Sequence, residues 1–127
     1  MRHDVPKTSN PTMDGEHRVQ VSLIHALIQA IESGKDAAAG AAILEQLINY
    51  SDAHFMSEEL LMRLASYDGY EEHIADHGLL IEALKNLAEQ YRAGNNNLVV
   101  DHAKVAGDFL LRHIETRDRQ FSNWIRD

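Results

Sequence analysis

His54 and Glu58 are four residues apart, as are His73 and His77, while His113 and Asp118 are five apart. On a helix of 3.6 residues per turn, a spacing of four puts both side chains on one face. There they can grip one ion or two neighbouring ions. His54 and Glu58 also stand in a line of apolar residues, Ile43, Leu47, Tyr50 and Leu61, where a core wants leucine. A buried unpaired carboxylate or charged imidazole costs several kcal/mol. A metal ion removes that cost by neutralising the carboxylate and taking the imidazole lone pairs. Imidazole and carboxylate together suit iron, zinc, copper or manganese. The chain has eight histidines and no cysteine, which excludes thiolate metal sites, iron–sulfur clusters, disulfides and a cysteine nucleophile.

Such donors need elements that bring them to one height. Residues 1–9 are polar, contain Pro6 and read as a loose arm, giving an arm over 1–11 and a single bundle domain over 12–127. Asn10-Pro11 reads as a helix start, with Asn as N-cap and Pro at the first helical position. Apolar residues then recur at three- and four-residue steps through Val21, Ile24, Leu27, Ile28 and Ile31. Gly34 ends that helix and Asp36 caps the next. The second helix runs to "SYDG". The third follows His73, His77, Leu80, Leu84, Leu87 and Tyr91 and breaks at "AGNNN". The fourth follows Leu98, His102, Val105, Phe109 and His113, with Trp124 beyond. No window alternates with period two. The fold class is all-α, an up-down-up-down antiparallel four-helix bundle.

In such a bundle, residues equally far from a connecting turn share a level. His17 and His54 flank the Gly34 turn in this way. His54 and Glu58 oppose His73 and His77 across Asp68-Gly69, and that second pair opposes His113 and Asp118 across Asn95. Five histidines and two carboxylates therefore meet at one level. The five-residue step turns Asp118 roughly 140° away from His113 on an ideal helix. Both point inward only if the helix loosens, so irregular geometry, such as a π-bulge, is expected between 113 and 118.

Composition narrows the function. A net charge of −8 without any basic run argues against nucleic acid. No apolar segment reaches the roughly 20 residues that cross a bilayer, and "MRHDVPKTSNP" has no apolar export core. The cysteine-free composition suits a cytoplasmic location.

"DGEH", "HFMSEE", "HIADH" and "HIETRD", in this order and spacing, resemble the motif set of the hemerythrins, particularly bacterial ones, from about Asp14 to Trp124. The resemblance implies two iron ions with an oxo or hydroxo bridge. Glu58 and Asp118 would be carboxylate bridges, with His73, His77 and His113 on one iron and His17 and His54 on the other. The second iron would then be one ligand short, and dioxygen would bind there as a hydroperoxide. Two ferrous ions against two carboxylates and a hydroxide leave the site near neutrality, which an apolar bundle tolerates.

The resemblance also implies a pocket around the bound oxygen, here Gln20, Ile24, Phe55, Phe109, Leu110 and Ile114. Phe55, Leu110 and Ile114 match apolar pocket positions, and Phe109 stands where the family usually has tryptophan. Gln20 departs from the pattern, because the family residue is usually apolar. Inside the pocket its amide would hydrogen-bond the ligand and favour sensing, peroxide chemistry or a small anion. The alternative is that it points away and Val21 fills the space. His3 lies in the arm; His25 and His102 are too far along their helices to share an iron.

Reversible dioxygen binding for storage, delivery or sensing is the expected function, and not enzymatic turnover. Three rivals remain: a di-iron oxidase, peroxidase or nitric-oxide-handling enzyme; a sensor module with an output domain or electron-transfer partner; and a zinc or iron store. A nitrogen-rich site is poorer at stabilising high-valent iron than a carboxylate-rich one, and seven donors exceed the needs of one zinc.

Overall fold

The computed structural model describes residues 4–34 and 36–126, so His3 lies outside them. Helix α1 spans Pro11–Glu32, α2 Ala37–Leu64, α3 Tyr70–Arg92 and α4 Asn96–His113. A π-helical turn, Ile114–Asp118, joins α4 to α5, Arg119–Arg126, and no strand occurs among the described residues. Each long helix packs on its chain neighbours, and α1 closes the ring against α4. The architecture is the expected antiparallel four-helix bundle.

The helix ends follow local chemistry. Asn10 accepts hydrogen bonds from the backbone N–H of Thr12 and Met13 at 3.0 and 3.1 Å, with Pro11 behind it. Asp36 accepts from Ala38 at 3.0 Å. Gly34 and Gly94 turn the chain at φ +66° and +83°, a region where side chains are strained. After α2 the left-handed residue is Ser66, at φ 53°, and not Gly69. Gly69 instead lies under the Tyr67 ring, 2.8 Å from where a Cβ would stand.

Among the described residues of the arm, 7–9 are tied down. Thr8 donates to the Asp14 carboxylate through both its backbone N–H and its hydroxyl, at 2.8 and 2.7 Å. Ser9 reaches Ser122, and Arg119 donates to the Lys7 carbonyl at 3.2 Å. The acid in the first turn of α1 and the polar face of α5 thus tie residues 7–9 across the bundle end.

Two apolar clusters form. The larger fills the bundle from its far end to Phe55, Leu110 and Ile114. The smaller, Met13, Met62 and Phe121 with Tyr67, Tyr70 and Ile74 against it, closes the other end. The donors lie between them.

Two inward lines differ from expectation. On α4, Leu98 and Val105 are 48% and 67% exposed and His102 is also exposed. The buried line is Val99, Ala103, Ala106 and Leu110. Small residues let α4 sit close to its neighbours, but alanine hardly registers in a hydrophobic pattern, so the larger residues drew the line one position early. On α2, Met62 is buried and Leu61 exposed, because the inward face passes from Glu58 to its fourth neighbour. Beyond the π turn, the buried aromatic is Phe121 and Trp124 is exposed.

Candidate metal centre

Each long helix brings one or two histidines to the same level: His17 on α1, His54 on α2, His73 and His77 on α3, His113 on α4. Glu58 comes from α2 and Asp118 from the end of the π turn, and all seven are buried. The loosened turn lets Asp118 face inward despite its five-residue step from His113. Their closest atoms are 3.0 Å apart.

The donor atoms fall into two groups. Glu58, His73, His77, His113 and Asp118 offer atoms within 4.8 Å of one another, and so do His17, His54 and Glu58. Each carboxylate divides its oxygens between the groups. Glu58 turns Oε1 to His73 and His77, at 2.6 and 3.0 Å, and Oε2 to His54 at 3.6 Å. Asp118 turns Oδ1 to His73 and His113, at 2.8 and 3.0 Å, and Oδ2 to His17 at 2.9 Å. Every histidine presents Nε2.

These contacts are close without being satisfied. His17, His54, His77 and His113 Nε2, Glu58 Oε2 and Asp118 Oδ1 are all buried without an aligned hydrogen-bond partner. His73 Nε2 hydrogen-bonds Glu58 Oε1, and the remaining donor atoms converge on a common space with none aligned on another. Orphaned buried donors are rare and costly. A cation between them removes the cost, so the residues fit a metal.

Without metal, protons do part of that work. Burial pushes His73 down, but hydrogen bonds to Asp118 and Glu58 carry its pKa up to about 9. Burial also opposes protonation of His113, yet Asp118 raises it. Burial and Asp118 push Glu58 up, and hydrogen bonds from His73 and His77 still hold it below the usual carboxylate range. Asp118 is held well below that range against burial, by His113, His17 and His73.

A set of outer acids escaped sequence reasoning. His54 Nδ1 meets Glu16, His77 Nδ1 meets Glu59 at 2.9 Å, and His113 Nδ1 meets Asp76 at 3.0 Å. A carboxylate on Nδ1 fixes the tautomer and leaves the Nε2 lone pair pointing inward. Arg117 in turn holds Asp76 at 3.3 Å and Glu72 at 2.8 Å. The signal was present: each acid is adjacent in sequence to a donor.

Of the expected pocket residues, Ile24, Phe55, Leu110, Ile114 and Gln20 are buried. Phe55 stacks on the His77 ring, centroids 3.9 Å apart and planes within 10°. Gln20 does not point away. It is 0% exposed, and its Nε2 donates to Ser51 Oγ at 3.1 Å. Phe109 does not join the buried pocket residues. It is half-buried on the seam of α3 and α4, lining a groove with Leu79, His102 and Val105.

Residues 8–125 match the Hemerythrin HHE cation binding domain family. The chain belongs to the hemerythrin family. Among relatives, the bacteriohemerythrin of Pseudomonas paraeruginosa is 31% identical over 120 residues, covering 94% of this chain and 76% of that protein. The bacteriohemerythrin of Methylococcus capsulatus is 27% identical over 108 residues, covering 85% and 82%. The myohemerythrin of Theromyzon tessulatum is 27% identical over 109 residues, covering 86% and 79%. This hemerythrin thus has a bundle whose core carries a buried histidine and carboxylate cluster. None of its helices, among the described residues, is long and apolar enough to cross a membrane.

Proposed function

We propose that this hemerythrin is a non-haem di-iron protein that binds dioxygen reversibly, for storage, delivery or sensing in the cytoplasm. The division of the Glu58 and Asp118 oxygens between two donor groups is the observation that carries the reading. A carboxylate with one oxygen on each side is built to bridge two ions. His73, His77 and His113 would hold one ion, and His17 and His54 the other, with Glu58 and Asp118 shared between them. The His17–His54 side offers one protein donor fewer, and an exogenous ligand would take that place on an ion held there. An iron pair would supply the two electrons that dioxygen binding requires.

The protein's own work is to hold the donors and keep water away. Glu16, Glu59 and Asp76 orient three imidazoles. Phe55, Leu110 and Ile114 pack beside the donors on one side, and Met62 and Phe121 close the bundle end on the other. Excluding bulk water would limit proton delivery to a ligand bound between these residues. An electron-transfer partner or an output domain would couple the centre to its physiological role.

The test is optical. Reduce the iron-loaded protein anaerobically, admit air, and record the charge-transfer bands. Bands that appear with air and vanish on deoxygenation support the reading; irreversible oxidation on first contact refutes it. The buried amide of Gln20 favours a second reading, peroxide turnover at the same centre. Rapid consumption of added peroxide would favour that over binding.

A further inference from the structure

Gln20 and Ser51 are the buried polar residues that neither the donor cluster nor the arm accounts for. Their register gives them a place. Gln20 lies three residues from His17 on α1, and Ser51 three from His54 on α2. Because the helices are antiparallel, both steps run toward the same end, roughly 4.5 Å along the axis. On the other two helices the same step leads from His77 to Leu80 and from His113 to Leu110. The layer next to the donors is therefore polar on the α1–α2 side and apolar on the α3–α4 side. The polar half stands beside the two-histidine group, the apolar half beside the three-histidine group.

The amide is also half used. Nε2 donates to Ser51 at 3.1 Å, while Oε1 is buried with no partner. A leucine of similar volume would fill this place without an orphan, as Leu80 and Leu110 do. A serine hydroxyl both donates and accepts, so the amide can turn over and keep its tether. It then presents either a carbonyl to a protonated ligand or an NH₂ to an anion.

We propose that Gln20, tethered by Ser51, receives the remote atom of a small ligand at the two-histidine position. It thereby selects ligands whose far end hydrogen-bonds over those that end at the metal. The inference rests on the di-iron reading and adds to it a residue of this chain that discriminates among small ligands by their far end.

Azide and chloride separate the two cases. Azide is a linear three-atom anion whose far nitrogen can accept a hydrogen bond, and chloride has no remote atom. Both are titrated by absorbance into the ferric, iron-loaded wild type, Gln20→Leu and Ser51→Ala. In Gln20→Leu, azide affinity should fall about tenfold, the contribution of one hydrogen bond, with chloride affinity unchanged. Ser51→Ala, which frees the amide, should move azide in the same direction. Metal-free Gln20→Leu should melt at or above the wild-type temperature. Equal azide affinity in wild type and Gln20→Leu overturns the inference alone. So does a parallel fall for both anions, which would mark a structural role. A wild type that loads iron but binds no azide overturns the di-iron reading and this inference with it.

Discussion

Raising the pH of the chelated protein from 6.5 to 9 should unfold it more easily. His73 titrates at 6.5 in an unfolded chain and at about 9 in the folded one. A group whose pKa rises on folding stabilises the fold fully below its unfolded value, and loses that contribution as pH climbs to the folded value. At roughly 1.4 kcal/mol per pH unit, the His73 proton contributes about 3 kcal/mol near pH 6 and little above pH 9. His73 is 1% exposed, so solvent screens little of this. The groups facing it are Glu58, Asp118, His77 and His113. His113 is raised as well and acts in the same direction. Glu58 and Asp118 are lowered, so they stay ionised throughout the window and their contribution is lost only in acid.

A domain of this size has roughly 5–15 kcal/mol in total, so the loss is large. It corresponds to a fall in melting temperature on the order of 10 °C. Circular dichroism melts in excess chelator at pH 6, 7, 8 and 9 measure it. Iron-loaded protein should lack the fall, since metal has displaced the proton and binds more tightly as pH rises. His73→Asn should flatten the chelated series. A chelated melting temperature that is constant or rises between pH 6.5 and 9 would refute the reasoning.

Three other outcomes follow from particular contacts. His77→Ala removes an Nε2 beside Glu58 and the ring that stacks on Phe55, so metal analysis should find fewer than two irons per chain; two retained irons would refute the assignment. Asp76→Ala frees His113 Nδ1 and should weaken metal binding about 10- to 100-fold in competition with a chromophoric chelator. Gly40→Ala sets a methyl group against the Tyr91 hydroxyl, which donates to the Ala37 carbonyl at 2.8 Å. Urea unfolding should show a loss of about 1–2 kcal/mol from overpacking and the broken bond, with metal content unchanged.

The donors were legible because they break a rule: a histidine or carboxylate on an inward line is too costly to be idle. The bundle made the test stronger, since equal distance from a turn sets height. The π turn was legible for a similar reason, because a five-residue step between two inward residues cannot be met by an α-helix. What escaped was the rotation of α4, where Ala103 and Ala106 are core residues too small to register. The left-handed Ser66 escaped too, because the glycine three positions later, Gly69, offered the more usual signal. The anchoring of Ser9 escaped because its partners, Ser122 and Asn123, lie over a hundred residues away.

The outer acids follow a rule that the sequence states once the helix directions are known. Glu16 on α1 serves His54 on α2, Glu59 on α2 serves His77 on α3, and Asp76 on α3 serves His113 on α4. Glu16 and Asp76 precede a donor, and Glu59 follows one. Successive residues turn by about 100°, so reversing a helix exchanges which neighbour of a donor faces the next helix round the ring. Before, after, before is what alternating directions demand. The fourth step would call for an acid just after a donor on α4, facing His17 on α1. The residues there are Ile114, after His113, and Arg119, after Asp118. Neither can accept a hydrogen bond from an imidazole, and His17 Nδ1 has no partner. Among the helix-to-helix steps the ring of acids is therefore open between α4 and α1. His73 Nδ1 on α3 is also buried without a partner, so each donor group keeps one imidazole that no outer acid orients.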